Sequence, residues 1–263
     1  MKNKYLKILS RTFSNSISEF FMYRADFFFR IFMGLLWSTT SLVIVELIFY
    51  HTPSLDGWSQ SDILLLYITL NLAFVVQDVL TNSIFELSSH IAEGRFDFII
   101  IKPIDSQFFA MFNRPDPGAL LFFFTYNIPL IYGLYLHSDS PIHWLYFPLY
   151  ILLILASNIL WMLMRTIIMT LNFWWQRLDN IGQILNSMQE IGRYPISIYP
   201  RPLKIIFYTI FPIAFSGVVP AEVLRGNISW VSLIGMFIVL CILSLFSRFL
   251  WKKAIRNYTS ASS

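Results

Sequence analysis

The 263-residue sequence predicts an all-α integral membrane protein. Its residues are 56% hydrophobic and only 13% charged, whereas about one quarter of a soluble domain is charged. Five apolar runs have the length of about 20 residues that crosses a bilayer, and helices satisfy their own backbone groups there. This composition excludes a soluble enzyme and a disordered regulator. The single Cys241 excludes a disulfide scaffold, because it has no partner within the chain.

Residues 1–26 form the first predicted unit, and within it residues 1–24 are predicted to fold as an amphipathic helix in the membrane interface. Apolar side chains recur there every three or four residues, which places them on one helical face. They are Leu6, Leu9, Phe13, Ile17, Phe20 and Phe21. Lysine, arginine and serine occupy the other face, where the cations meet anionic headgroups. No cleavable signal peptide is recognisable.

The membrane domain is predicted over 27–250, followed by a tail over 251–263. Its five apolar runs are long enough to be transmembrane helices. They cover residues 27–50, 62–80, 120–136, 144–164 and 231–250.

The distribution of lysine and arginine predicts the orientation of these spans. Residues 1–24 carry five such cations, the tail carries three and the 81–117 loop carries three. The 51–61 and 137–143 loops carry none. Because cations are retained on the cytoplasmic side, both termini and the 81–117 loop are predicted to be cytoplasmic. The number of spans is then even, so a sixth crossing is expected between the fourth span and the last one.

Two segments compete for this crossing. In 165–194, polar residues recur at helical spacing along one stripe: Arg165, Asn172, Gln176, Asp179, Gln183, Asn186 and Glu190. If this segment crosses, 200–226 is a short re-entrant hairpin on the outer side. The alternative crossing is 203–222, an apolar segment interrupted by two prolines and a glycine, which makes 172–202 a cytoplasmic amphipathic helix. Counting cations favours the alternative.

The sequence contains no recognisable catalytic constellation. Its four histidines are scattered, it has no His-Glu-x-x-His zinc pair, and it has no Gly-x-x-x-x-Gly-Lys-Ser/Thr phosphate loop. We therefore expect a protein that is not an enzyme and that carries no metal or cofactor. Its energy has to come from a partner or from an ion gradient.

Two other patterns indicate function. In the 81–117 loop, Phe96, Phe98 and the run 99–101 form an apolar patch beside charges, which is typical of a partner site, although the patch also suits packing under the bundle. Within the second span, polar residues share one helical face at spacings of seven and four: Asn71, Asp78 and Asn82. Together with the stripe at 165–190 they are candidates for a hydrophilic path between two protomers, or for hydrogen bonds within one bundle.

The loop 81–117 also carries a family resemblance. Residues 93–97, Glu-Gly-Arg-Phe-Asp, followed by Lys102-Pro103, resemble the G-x-x-D…K-P loop in small membrane subunits of type-2 ATP-binding-cassette (ABC) exporters. Residues 192–200, followed by Pro212 and by Pro220-Ala221, are similar to a second motif of that family in the same order. The resemblance covers essentially the whole chain and departs at Phe96, where the family often has a smaller aliphatic residue.

The resemblance implies six spans, an N-terminal interfacial helix, a cytoplasmic coupling helix and a re-entrant hairpin before the last span, here over 195–226. It therefore favours 165–194 as the fifth span. It also implies that the coupling helix docks on an ATPase subunit. The matching residues are Glu93, Gly94, Arg95, Phe96, Asp97, Phe98, Lys102 and Pro103.

The resemblance implies a permease subunit in the cytoplasmic membrane that forms half of a translocation pathway. A second permease chain, identical or related, completes the pathway, and two copies of a separate ATPase carry the ATP and Mg. Membrane lipid surrounds the bundle, and no nucleic acid is expected. The rival functions are an ion-gradient carrier, which predicts an internal repeat that we do not find, and a membrane-embedded transferase, which requires clustered catalytic side chains.

Overall fold

The structure is a computed structural model that describes residues 2–137, 142–175 and 179–258. Side chains within 2–4 and 179–183, and that of Arg24, lie outside this description. Regular structure in the described residues is helical, apart from one bridge between Leu55 and Trp58. The α-helices are α1 (Lys2–Met22), α2 (Arg24–His51), α3 (Gln60–Thr81), α4 (Leu87–Ala92), α5 (Asp97–Ile100), α6 (Ser106–Phe112), α7 (Gly118–Leu136), α8 (Phe147–Thr170), α9 (Asp179–Glu190), α10 (Arg201–Thr209), α11 (Val218–Leu224) and α12 (Trp230–Asn257).

Five of these helices are long and apolar enough to cross a membrane, and they correspond to the five predicted spans: α2, α3, α7, α8 and α12. Two of them extend further than the hydropathy indicated. The fourth span continues to Thr170, and the last one continues to Asn257. The prediction of an all-α membrane protein is confirmed.

The spans pack around α3, α7 and α8. α7 lies against both α2 and α3, while α8 lies against α3 and α12. The contact of α2 with α7 depends on Gly34, because a Cβ atom there would lie 2.0 Å from the Thr125 hydroxyl oxygen. α12 carries large apolar side chains on its exterior, including Phe237 and Leu245, as expected of a lipid-facing helix.

The bundle has two distinct ends. At the short-loop end, which carries residues 52–59 and 225–229, Arg225 pairs with Asp62 at 2.8 Å. There the Leu224 carbonyl accepts a hydrogen bond of 2.8 Å from the His143 backbone N–H. The long-loop end carries 82–117, where the predicted 81–117 loop folds into a turn and the short helices α4, α5 and α6.

The predicted single helix over 165–194 is wrong. Arg165 belongs to α8, which ends at Thr170, and α9 begins only at Asp179. A 3-10 turn follows α8, and in it the Asn172 amide donates to the Met169 carbonyl at 3.0 Å. A side chain that bonds the neighbouring backbone competes with the helical ladder, which accounts for a helix end in an apolar run. The polar stripe is therefore divided between two helices.

The competing segment 203–222 is not one helix either. α10 and the segment Ile213–Leu224 are bent by 69° relative to each other, with Pro212 in the break. The bend lies beside the middle of α3, since a Cβ on Gly217 would contact Leu66 at 3.1 Å. From there the chain leads through α11 to the short-loop end.

Candidate functional site

Twelve of the seventeen residues predicted to be functional lie in two regions of the structure. The first is the coupling segment, residues 93–103 at the long-loop end. The second is a cavity within the helix bundle, which we call the intramembrane cavity.

Phe96, expected to anchor a partner, is instead an interior residue of this chain. It has no exposed surface. Its ring makes edge-to-face contacts with Phe173, Tyr258 and Trp251, at centroid distances of 4.9, 5.2 and 6.0 Å. The prediction of Phe96 as an accessible anchor is therefore wrong, because aromatic residues from after α8 and from α12 enclose it.

The accessible part of the apolar patch is formed by other residues. Phe98 is 66% exposed and Ile101 is 74% exposed, whereas Ile99 is buried under the bundle. One side of α5 thus packs inward with Phe96 while the other side faces outward. The packing interpretation of the patch is therefore confirmed for Phe96 and Ile99, and the partner-site interpretation stays a prediction for the exposed Phe98 and Ile101.

Charged residues frame this exposed face. Glu93 and Arg95 form an exposed ion pair of 2.7 Å on either side of Gly94, whose φ of 70° suits a residue without a side chain. Asp97 begins α5. The Lys102 ammonium lies 3.8 Å from the centre of the Phe109 ring, and burial lowers the pKa of Lys102. Pro103 and Lys102 line a small cavity against α1.

Hydrogen bonds and an ion pair join the segment after Pro103 to α12. The Arg248 guanidinium contacts the Asp105 carboxylate at 2.5 Å and donates to Gln107 at 3.0 Å. The Trp251 indole donates to the Ser106 hydroxyl at 3.1 Å. Burial acts to raise the pKa of Asp105, but hydrogen bonds from Arg248 and from the backbone outweigh it and hold that pKa below its ordinary value.

The same region is joined to α1 and to the end of α3. The Ser83 hydroxyl donates to the Met111 carbonyl at 2.7 Å. Arg114 bridges Glu19 of α1 and Glu86, at 2.9 and 2.8 Å, and the hydrogen bond to Glu19 raises the pKa of Arg114. Residues 105–114 are thus connected by specific polar contacts to α1, to α12 and to the 3-10 turn Asn82–Glu86 that follows α3.

The intramembrane cavity has a volume of about 510 Å³ and lies among α2, α3, α7, α8 and α9. Four of the nine predicted pathway residues line it: Asn71, Asp78, Asn186 and Glu190. Helical spacing correctly placed the first two on one face.

The other predicted pathway residues have different positions. Asn82 lines a second cavity of about 310 Å³ at the long-loop end, which we call the vestibule. Asn172 is buried and lines neither cavity. Gln176 lies outside the described residues, and so do the side chains of Asp179 and Gln183.

Three charged residues missing from the sequence predictions stand between the two cavities. We call Asp26, Arg30 and Asp116 the ion triad. The Arg30 guanidinium contacts Asp26 at 2.7 Å and Asp116 at 3.0 Å, and all three residues line both cavities. A usable signal was present, because Arg30 is a cation inside an apolar run, four residues after a carboxylate.

Arg165 belongs to the polar stripe predicted from the sequence, but the stripe did not reveal all of its hydrogen-bond partners. Its Nη2 atom donates to the Asn186 side-chain oxygen at 2.9 Å and to Gln189 at 3.0 Å. Gln189 in turn donates to Gln77 of α3 at 3.4 Å. Sequence spacing could not predict the glutamines, because this network joins helices that are distant along the chain.

Comparison with known protein families gives a match over most of the chain. A family model described as "ABC-2 family transporter protein" matches residues 35–262. No curated protein matches the chain. Among the described residues, histidine, cysteine and carboxylate side chains form no group of three that could hold a metal ion.

Proposed function

The chain belongs to the ABC-2 family of transporter proteins and is a permease component of an ABC transporter, and we propose that it forms half of an export pathway driven by a separate ATPase. The family match over 35–262 carries this proposal. The arrangement of the coupling segment supports it, since an exposed apolar face there is rimmed by charge, as partner-binding surfaces are.

In this proposal the ATPase docks on Phe98 and Ile101. Large exposed apolar side chains become anchors when a partner buries them, and the nearby charges of Glu93, Arg95 and Lys102 set register and association rate. Two ATPase subunits, which bind ATP and Mg, act on a pair of permease chains, identical or related. This chain itself catalyses no reaction.

Force then passes from the coupling segment into the bundle through contacts of two kinds. The buried Phe96 ring transmits displacement to Trp251 of α12, because closely packed interiors deform little. The Asp105–Arg248 pair joins α12 to the residues that follow the coupling segment, and Ser83, in the turn directly after α3, donates a hydrogen bond to α6. A shift of the coupling segment therefore moves two spans together and changes access to the intramembrane cavity.

The proposed topology places the long-loop end and both termini in the cytoplasm of the cell, in its cytoplasmic membrane. α9 and residues 191–200 form the fifth crossing, and the bent pair α10–α11 enters from the outer side. The bend beside the middle of α3 and the end of α11 at the short-loop end support this path. α1 lies in the cytoplasmic interface with lipid.

The double substitution Phe98→Ala with Ile101→Ala tests the docking surface. We expect it to lose the ATPase that co-purifies with the wild-type chain, because truncation of an interface anchor costs about 2 kcal/mol or more. The matched control is Phe237→Ala with Leu245→Ala, which removes similar exposed apolar surface from α12. If the double variant retains ATPase binding and transport at wild-type levels, the proposed docking surface is wrong.

A further inference from the structure

The intramembrane cavity contains a buried arginine whose hydrogen-bonding capacity is only partly used. Arg165 is 3% exposed, and its Nη2 atom donates to Asn186 and Gln189. Its Nε and Nη1 atoms have no acceptor among the described residues, and the guanidinium lies 4.6 Å from the centre of the Phe85 ring. A buried donor without an acceptor is costly, so the guanidinium carries positive charge at the cavity wall that the chain's own hydrogen bonds satisfy only in part.

The same cavity holds a carboxylate without an ion pair. Asp78 lines it, yet the ion pairs of the described residues do not include Asp78. Apart from Arg165, each of the other charged side chains of the lining has an ion-pair partner. The ion triad shares one guanidinium between two carboxylates, and Glu190 pairs with Arg193. Arg165 and Asp78 thus face one cavity with opposite charges that do not bridge each other.

The remaining wall of the cavity is largely apolar and aromatic. Phe29, Trp37, Phe74, Phe122 and Phe123 contribute to it. A volume of about 510 Å³ falls in the range of small-molecule sites, roughly 300–1,000 Å³. The cavity therefore offers apolar surface together with two separated and opposite charges.

We infer that the intramembrane cavity binds an amphipathic zwitterion, a molecule with a protonated amine and a carboxylate or phosphate on an apolar body. The positive charge of Arg165 attracts its acidic group, Asp78 accepts from its amine, and the aromatic wall holds its apolar part. The identification of this ligand as transported cargo rests on the proposed function; the site itself does not.

The test uses the full-length chain in nanodiscs of phosphatidylglycerol, which offers no zwitterionic headgroup. The probes are three dipeptides of one size: phenylalanyl-phenylalanine, a zwitterion; its C-terminal amide, a cation; and its N-acetyl form, an anion. Affinities are measured by isothermal titration calorimetry. We expect the zwitterion to bind at least about tenfold more tightly than either singly charged form, because each lost charge-assisted hydrogen bond costs roughly a factor of ten or more.

Substitutions assign the two charges to their partners. Arg165→Gln is expected to reduce zwitterion affinity about tenfold while affinity for the amide stays unchanged, and Asp78→Asn is expected to spare the N-acetyl form in the same way. The controls are Arg256→Gln and Glu46→Gln, which change the same charges outside the cavity. If Arg165→Gln fails to fold, the comparison of three probes on the wild-type chain still decides the matter.

Equal binding of all three probes, no binding, or a preference for a singly charged probe overturns the inference. Repeating the titration in nanodiscs of phosphatidylglycerol mixed with phosphatidylethanolamine, whose headgroup carries a protonated amine beside its phosphate, separates two sources of the zwitterion. Weaker dipeptide binding there identifies a lipid headgroup as the occupant, and unchanged binding identifies a soluble molecule; both support the class. Binding of the zwitterion without ATP-driven transport of it contradicts the proposed function but still supports the binding site.

Discussion

Replacing Phe96 with alanine distinguishes an interior residue of the coupling segment from a docking residue. Its ring is fully buried against three aromatic rings, whereas the ring two residues later is 66% exposed. Truncating a buried phenylalanine typically costs about 3–5 kcal/mol, and truncating an exposed one changes stability by about 0.5 kcal/mol or less. Phe96→Ala should therefore destabilise the isolated chain, and Phe98→Ala should not.

The assay is thermal unfolding of both variants in one detergent, followed by tryptophan fluorescence, together with recovery of the ATPase on the purified chain. For chains of this size, about 1 kcal/mol corresponds to roughly 2–4 °C, so a loss of about 6 °C or more is expected for Phe96→Ala. Phe98→Ala should keep the wild-type unfolding temperature and bind less ATPase. Unchanged stability in Phe96→Ala, with ATPase binding lost, refutes the reasoning.

Three further predictions concern other parts of the molecule. Asp105→Asn removes a carboxylate whose pKa is held below its ordinary value of 3.8. Above about pH 4 the wild-type chain should therefore be more stable than the variant by about 1 kcal/mol or less, and this difference should shrink on acidification. Unfolding temperatures of both proteins between pH 6 and pH 3 check this prediction. Gly118→Ala places a Cβ 2.8 Å from the Phe20 ring and 2.9 Å from the guanidinium of the ion triad, so it should lower the unfolding temperature. Gly235→Ala, whose Cβ has its nearest neighbour at 3.9 Å, should not lower it; equal temperatures of the two variants contradict the tight packing around Gly118. Ser197→Cys in a cysteine-free background should react with an impermeant external thiol reagent, because Ser197 is exposed on the segment proposed to reach the outer side. Reaction only after permeabilisation of the membrane contradicts the proposed topology.

Local sequence signals were sufficient for the long spans and for the helix α1. An apolar run of about 20 residues has few alternatives to a transmembrane helix, so the five spans and the face shared by Asn71 and Asp78 followed from length and period. The break after α8 did not follow, because the Asn172 amide bonds the backbone locally within a run that is periodic in composition.

The burial of Phe96 and the ion triad depend on contacts between residues far apart in sequence. Phe96 meets Trp251 only once α12 has packed at the long-loop end, and Asp116 is 86 residues from its arginine partner. Composition near Phe96 indicates an apolar patch but does not say which side chains face inward. Only the packed bundle separates the interior face of α5 from the exposed one.

Site-specific photo-crosslinking tests the central claim, that a separate ATPase docks on the exposed face of the coupling segment. A benzophenone amino acid replaces Phe98 in one variant and the exposed Phe237 of α12 in a control. The account predicts that illumination in cells links the first variant, and not the control, to a protein of an ABC ATPase's size and sequence, as identified by mass spectrometry. A well-inserted Phe98 variant that gives no ATPase adduct while transport continues would contradict it.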